Sequence, residues 1–596
     1  MSDSRSATGA RSGWLFGPIS DLGIGCGLLF WAFFAWMAFA GDSTRALLPM
    51  ALAPVIGILI GQPHYGATLL RVYEHREDRR SYALFAVFGS ALIWAAFAVG
   101  VHNDIAGSLL LTFYLTIAPW HYAGQNYGIA MMLMRRKGAE ISYLAQRAFH
   151  ASFVLSTLLT ILSLHGPARP NAEYAFVAYQ GSAYNFMSLG MSAASKDIAV
   201  LLLAGAYLAS LIAAGFLLKR KATLQQLLPA AAISATQALW FGIPVVTRHF
   251  GLFGQIEPLS AQHAAYTIFW VSVGHSIQYL WVTTYFSGRA KHPSRGLPFY
   301  TKAVLAGTAT FAIPTLLFAP GFLGRVSIDA GLLVMISAAV NLHHYLLDAV
   351  IWKLRHSRIA KVLILDEDPD QSEPEPSASW VRPALVSLGV LSVTLMSIDA
   401  ASTHLATRAI ERQDPSGLSS AIRALSWIRR DSATLYFELS TLHQERGEIG
   451  AAIENAARAE ELHDRYAYDI RLCALYSQAQ RNEEGVKACR HVLASRPRDP
   501  IAAMNLALLL ARNADRSPAE LNEAIGLAEL ASEERHQQDP YFLKNLALIY
   551  RAAERRDDMQ RSAIRALEIA SAQHNSALEA QLRIMITKLG AELAAH

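Results

Sequence analysis

Four short motifs place histidines inside otherwise apolar stretches of this 596-residue chain. They read Gly61-Gln62-Pro63-His64-Tyr65-Gly66, Pro119-Trp120-His121-Tyr122-Ala123-Gly124-Gln125, Gly274-His275-Ser276-Ile277-Gln278-Tyr279 and Asn341-Leu342-His343-His344-Tyr345-Leu346-Leu347-Asp348. A neutral imidazole carries no charge into an apolar medium and is a good ligand for iron, copper or zinc. The spacing adds a partner one helical turn later. Gln125, Gln278 and Asp348 share a helix face with His121, His275 and His344 at i+3 or i+4. Such a partner accepts the second ring N–H and holds the tautomer, ligates directly, or carries a proton. His64, His121, His275, His344 and, less centrally, His343 are therefore the expected ligands of a metal or a haem iron. Tyr65, Tyr122, Gln125, Gln278, Tyr279 and Asp348 are the candidate catalytic groups around them. His343 points about 100° away from His344 on a helix, so one of the two faces the centre. Each polar residue by itself also fits a plain interhelical bridge. Four clusters together point to a site or to a polar pathway.

Depth along the helices separates two arrangements. His64 is 7 residues before Arg71 and His344 is 9 before Lys353, roughly 10–14 Å along a helix. His121 and His275 are each 14 residues before Arg135 and Arg289, roughly 21 Å. Either tilt or a break at Pro63 or Pro119 brings all four to one ion. Otherwise two tiers form, with opposed pairs suited to bis-imidazole haem.

The elements that carry these motifs are long and apolar. The chain is 53% hydrophobic and only 17% charged, against about 25% in soluble domains. The charge is uneven, with 47 charged residues in 1–404 and 52 in the much shorter 405–596. The net +5 is a sum of +7 and −2 over these two parts and gives no reason to expect a nucleic-acid partner. A spanning helix needs about 20 apolar residues. Eleven are expected: 22–41, 47–70, 81–101, 105–134, 143–164, 197–218, 226–246, 260–286, 300–321, 327–352 and 383–401. With the N-terminus inside, 22 Lys/Arg fall on cytoplasmic segments and five outside (Arg45, Arg169, Lys196, Arg248, Arg325). That asymmetry orients the bundle with a cytoplasmic N-terminal tail, 1–21, in a bacterial inner membrane. The expected organisation is a bundle over 22–365, an acidic Pro-rich flexible linker over 366–381, an eleventh span over 382–401 and a soluble domain over 402–596. The all-α fold class follows, a polytopic transmembrane bundle followed by an α-solenoid. If span eleven crosses, the solenoid is periplasmic.

The soluble part repeats. Tyr436, Leu439, Ser440, Gly447, Ala452, Ala456 and Ala459 mark one unit, and the next, at a period of about 34, offers Leu472, Cys473, Gly485, Cys489 and Val492, closing at Pro497. Leu506, Ala507 and Leu510 continue the series. A four-residue insertion then displaces Ala524, Ala528 and Ala531, and Leu546, Ala547, Tyr550, Ala563, Ala566 and Leu567 form a last unit. This pattern resembles the tetratricopeptide repeat (TPR) family over about 432–570, with a capping helix near 576–595. It departs from that family at the usual Trp of position 4 and Gly of position 8. The resemblance implies a helical-hairpin solenoid that binds a protein partner and does no catalysis. Cys473 and Cys489 are read as small core residues rather than a disulfide, although an oxidising compartment would let them pair.

In the membrane part, Gly61-Gln62-Pro63-His64 followed by Gly66 resembles the Gly-x-Pro-His-Gly motif of the Brp/Blh carotenoid-cleaving membrane dioxygenases, with Tyr65 inserted and the family's following Asp absent. That resemblance implies iron held by histidines from several helices. The sequence expectation is an inner-membrane oxidoreductase with iron or haem, acting on a lipophilic substrate drawn from the lipid bilayer, its TPR module recruiting a protein. One alternative is a transporter or assembly scaffold using the polar residues as a translocation path. Another is a multi-spanning sugar transferase with a repeat module, although the first outer loop, 41–45, holds Asp42 as its only acid. Phosphate-cradling loops, Gly-x-Ser-x-Gly and dinucleotide fingerprints are absent from the sequence.

Overall fold

The computed structural model describes residues 13–39, 54–73, 82–165, 182–251, 264–289, 298–352, 357–365, 380–535 and 537–594. Most of the expected linker, Asp42 and residues 166–181 lie outside them. Among the described residues every regular element is a helix and there is no strand. The chain divides into two compact units, 1–404 with 424–430, and 405–423 with 431–596.

The first unit is a bundle built from α1 (Leu28–Phe39), α2 (Gln62–Tyr73), α3 (Ser90–His102), α4 (Asp104–Arg136), α5 (Tyr143–Leu164), α6 (Ala193–Lys219), α7 (Leu224–Gln237), α8 (Ala264–Arg289), α9 (Phe299–Leu317), α10 (Leu333–Ile351) and α11 (Val381–Glu411). Six helices are long and apolar enough to cross a membrane: Leu84–His102, Tyr143–Leu164, Ala193–Lys219, Leu224–Thr247, Ile328–Ile351 and Pro383–Glu411. The bent pair Pro18–Gly25 and Leu28–Trp36 makes a seventh if counted as one span. The expected eleven is thus six or seven by length and apolarity among the described residues. The shortfall has a chemical reason, because three of the four helices bearing histidine motifs (α2, α4 and α8) are outside that set. Their polar residues dilute the apolarity that would identify them.

Burial separates centre from periphery. On α10 nearly every residue from Met335 to Ile351 is buried, whereas α6 exposes Ile198, Leu201, Leu202, Leu208, Ile212 and Phe216. An apolar face of that extent belongs against hydrocarbon. At the middle, α2 and α9 cross at the closest approach that backbones allow. A Cβ added at Gly66 would lie 1.9 Å from the Ala303 carbonyl oxygen, and one at Gly307 1.7 Å from that of Gln62. Only glycine permits this crossing.

The second unit is a stack of TPR-like helical hairpins: Ala433–Glu445 with Ile449–Leu462, Tyr466–Gln478 with Asn482–Ser495, Pro500–Arg512 with Pro518–Glu534, and Pro540–Ala552 with Arg556–Ala572, closed by Ser576–Ala594. Ser440, Cys473, Ala507 and Ala547, the small residues of the first helices, are all fully buried. Ala452, Ala456, Ala524, Ala528 and Ala563 answer them from the second helices. Small side chains let the helices of a pair approach closely and stack on the next pair. Starts are set locally. Asp499 accepts from Ile501 N and Ala502 N, Asp539 from Tyr541 N and Phe542 N, each with proline at the first helical position.

One expectation here is corrected. Cys473 and Cys489 form a disulfide, with Cα atoms 4.8 Å apart. The small-residue seam that made them look like core fillers brings their backbones within bridging range. Closing a loop over 16 residues of separation contributes about 3 kcal/mol. Reductant, or Cys473→Ser with Cys489→Ser, should therefore lower the Tm of the repeat unit by about 5–10 °C, read by circular dichroism on the full chain.

Candidate functional site

The four histidine motifs converge on one place. His64 stands in the first turn of α2, turned inward by the Gly66–Gly307 crossing with α9. His121 sits on α4 two residues past Pro119, which the helix runs through without ending. His275 lies midway along α8 and His344 midway along α10. Ring centroids are 4.1 Å apart for His64–His344, 4.9 Å for His64–His275, 5.0 Å for His121–His275 and 4.9 Å for His121–His344. The rings meet edge to face. His64, His275 and His344 each offer a ligand atom within 4.8 Å of the others, and so do His121, His344 and Asp348.

A single cluster replaces the two-tier alternative. Flanking cations are no measure of depth here, because Arg135 and Arg289 stand 14 residues past His121 and His275 and Arg71 only 7 past His64, yet the rings meet. Arg135 and Arg289 therefore stand farther along their helices from the site than Arg71 does.

Six imidazole nitrogens at this point are buried with no protein hydrogen-bond partner: both of His64, both of His275, and Nε2 of His121 and of His344. The rings of His64 and His275 are 1% exposed and that of His344 2%. Native interiors leave few polar atoms unsatisfied, at about 1–3 kcal/mol each. One nitrogen each of His64, His275 and His344 lies within 4.8 Å of the others, a donor set for a cation that accepts nitrogen ligands.

Around them the polar partners are in place. His344 Nδ1 is 2.8 Å from Thr68 Oγ1, which leaves Nε2 toward the cluster. Thr68 donates to Asp348 Oδ1 at 3.1 Å, and the Tyr279 hydroxyl donates to the same oxygen at 2.8 Å. Trp352 Nε1 in turn donates to the Tyr279 hydroxyl at 3.1 Å. Asp348 Oδ2 is left 3.3 Å from His344 Nε2 and 4.0 Å from His121 Nε2. Tyrosine rings wall the cluster. Tyr345 stacks on His121 at 4.1 Å, Tyr122 lies 4.3 Å from His275, and Tyr65 lies 4.7 Å from His64.

Not every expected site residue arrives. His343 turns away and pairs with Ser90 Oγ at 2.8 Å, so it is no member of the cluster. Gln125 donates to the His275 carbonyl and to Gln278 Oε1, and Gln278 donates to the Gly25 carbonyl. Those amides tie α4, α8 and the N-terminal segment together and contact no imidazole ring nitrogen. The Tyr65 hydroxyl is committed to Asn341 and that of Tyr122 lies 3.0 Å from Ser272 Oγ. Thr68, Trp352 and Ser90 are the residues the sequence reading missed. Thr68 had a signal, standing one turn after His64 just as Asp348 stands one turn after His344.

Elsewhere, Asp464, Asp469 and His491 of the second unit also come within 4.8 Å of one another, on a largely exposed surface. Burial and then the neighbouring Asp464 push the Asp469 carboxyl up to about 6.

No family model matches the chain, and the search of curated proteins returns no match. Among solved structures, "Crystal structure of MamA protein" aligns at 16% identity with a TM-score of 0.26, covering 30% of this chain and 94% of that one. "MamA 41-end from Desulfovibrio magneticus RS-1" aligns at 16% identity with a TM-score of 0.25, covering 30% and 97%.

Proposed function

We propose that this protein is a membrane-embedded oxidoreductase whose bundle holds one non-haem iron ion through His64, His121, His275 and His344, with Asp348 beside them. The observation that carries the reading is the set of six buried imidazole nitrogens without a hydrogen-bond partner, with one nitrogen each of His64, His275 and His344 within 4.8 Å of one another. A bare ion is favoured over haem by the rings themselves. Four imidazoles at edge-to-face contact leave no slot for a flat macrocycle between an opposed pair. Mixed imidazole and carboxylate donors are those of non-haem iron oxygenases, where the ion supplies oxygen activation or electron transfer. In this chain Thr68 orients His344, and Tyr279 with Thr68 hold Asp348. The substrate in this reading is apolar and comes from the bilayer.

The same proposal includes eleven spans in a bacterial inner membrane, with the N-terminus cytoplasmic and the TPR-like unit periplasmic, where it recruits a protein. Support for the compartment comes from the Cys473–Cys489 disulfide, a bond that persists in oxidising surroundings.

Metal analysis and the optical and electron paramagnetic spectra of purified full-length protein test the reading. About one iron per chain and no Soret band are expected; protein without stoichiometric metal, or with a haem spectrum, overturns it. Within the site, Thr68→Ala should weaken metal binding about 10–100-fold, as removal of an orienting partner typically does, and Thr68→Ser should restore it. Chelator competition measures both.

A further inference from the structure

Residues 183–189 form a non-helical strap laid along the first half of α4. Its alternate amides make a regular series. The Asn185 N–H donates to Ser108 Oγ at 3.0 Å, that of Met187 to Thr112 Oγ1 at 2.8 Å, and that of Leu189 to His165 Nδ1 at 3.3 Å. His165, just past the end of α5, reaches on through Nε2 to Thr116 Oγ1 at 2.8 Å. Residues four apart on a helix are about 6 Å apart along its axis, and two residues of extended chain cover about 6.7 Å. The strap therefore keeps step with Ser108, Thr112 and Thr116, and the imidazole makes the last rung.

The two ends of the strap are held differently. Tyr184 is fully buried, with its ring against Gly107 and Gly331, where an added Cβ would lie 2.4 and 2.7 Å from it. At the far end Met187 and Leu189 are 44% and 78% exposed, and Phe186 rests 5.0 Å from the His165 ring. Hydrogen bonds carry that end, and the last of them fixes the state of His165. An amide N–H only donates, so Nδ1 is the unprotonated nitrogen and the ring proton sits on Nε2, donated to Thr116. A cationic imidazole places a second N–H at Nδ1, facing the Leu189 N–H, and the rung is lost.

We propose that the strap is a proton-released latch: protonation of His165 frees its Leu189 end from α4, while Tyr184 stays seated as the hinge. Burial holds the His165 imidazole below its ordinary value of about 6.5. Among the described residues, the charged groups on the elements around it are engaged elsewhere. Lys196 donates to the Ser163 carbonyl, Asp197 lies 3.6 Å from His249, and Asp104 pairs with Arg325. The released imidazole binds a proton more tightly than the latched one. The closed strap is thus stable above about pH 6.5 and is lost as pH falls below it. For one proton, the ratio of open to closed rises by up to about tenfold per pH unit. The latch does not depend on a metal in the bundle.

Spin labels at Met187→Cys and Leu144→Cys, both at exposed positions, test this in full-length protein in nanodiscs by double electron–electron resonance. Cys26 is fully buried and Cys473 is bonded to Cys489, so the labels go to the introduced thiols. One narrow distance is expected at pH 8, with a longer population growing below about pH 6.5. His165→Gln, whose amide accepts from Leu189 and donates to Thr116, should stay closed at every pH. Leu189→Pro, which removes the donor, should show the longer population already at pH 8. His249→Gln should leave the response of the parent unchanged. A distance that does not move between pH 8 and pH 5, a response that survives His165→Gln, or one that His249→Gln removes overturns the latch.

Discussion

Replacing His275 with alanine is expected to abolish stoichiometric metal, while His343→Ala leaves it unchanged. Both are histidines in apolar helices, and the sequence alone offers little to separate them. The structure does. Both nitrogens of His275 are buried and unpartnered among His64 and His121, whereas His343 already has Ser90 as a partner. Loss of one ligand from the set should weaken binding by at least about 100-fold, beyond the range typical of outer partners. Elemental analysis of protein purified by affinity and size exclusion reads the result. The reading that these histidines merely bridge helices makes the opposite forecast. Under it His343→Ala, which breaks an existing hydrogen bond, would do more harm than His275→Ala. Equal metal content in wild type and His275→Ala would sink the site.

The second large effect is expected where nothing chemical happens. Gly307→Ala adds one methyl to the α2–α9 crossing, 1.7 Å from the Gln62 carbonyl oxygen. Gly66→Ala does the same from the other side, 1.9 Å from the Ala303 carbonyl oxygen. Overpacking usually costs about 1–3 kcal/mol, because side chains give way. Here the obstacle is backbone on both sides, so the helices themselves must part, and His64 lies between Gln62 and Gly66, the two α2 residues of the contact. Each variant should lose thermal stability in detergent and lose metal binding with it, by nanoDSF and chelator competition. Gly128→Ala is the control, since a Cβ there meets nothing within 4 Å. A stable Gly307→Ala protein with full metal content would show that the crossing does not position His64.

Parts of this architecture were legible because they follow from local chemistry. The 34-residue return of small residues led to the helical hairpins, since a residue that must sit in a helix–helix seam must be small wherever the seam recurs. Ser440, Cys473, Ala507 and Ala547 all went to zero exposure as that argument requires. The disulfide did not follow from it, because the same smallness serves packing and bonding alike, and only the 4.8 Å separation distinguishes them. Span counting was least secure at the helices that matter most. A helix that bears a site gives up apolar residues to the site, so α2, α4 and α8 are weaker membrane signals than α6, which bears none.

By itself the sequence determined which residues are available: four histidine motifs in apolar helices, and the i+4 relation of His344 to Asp348. Helical periodicity is a property of the chain, so a relation within one helix can be read from spacing. Relations between helices cannot, since they depend on tilt, register and the distance at which two backbones meet. Tertiary structure therefore decided that His64, His121, His275 and His344 share one centre while His343 does not. It also decided that Gln125 and Gln278 brace helices and that Thr68 orients an imidazole on a helix remote in sequence. The physical reason lies in the Gly66–Gly307 contact, where the absence of two side chains sets how close α2 and α9 come, and with it where His64 points.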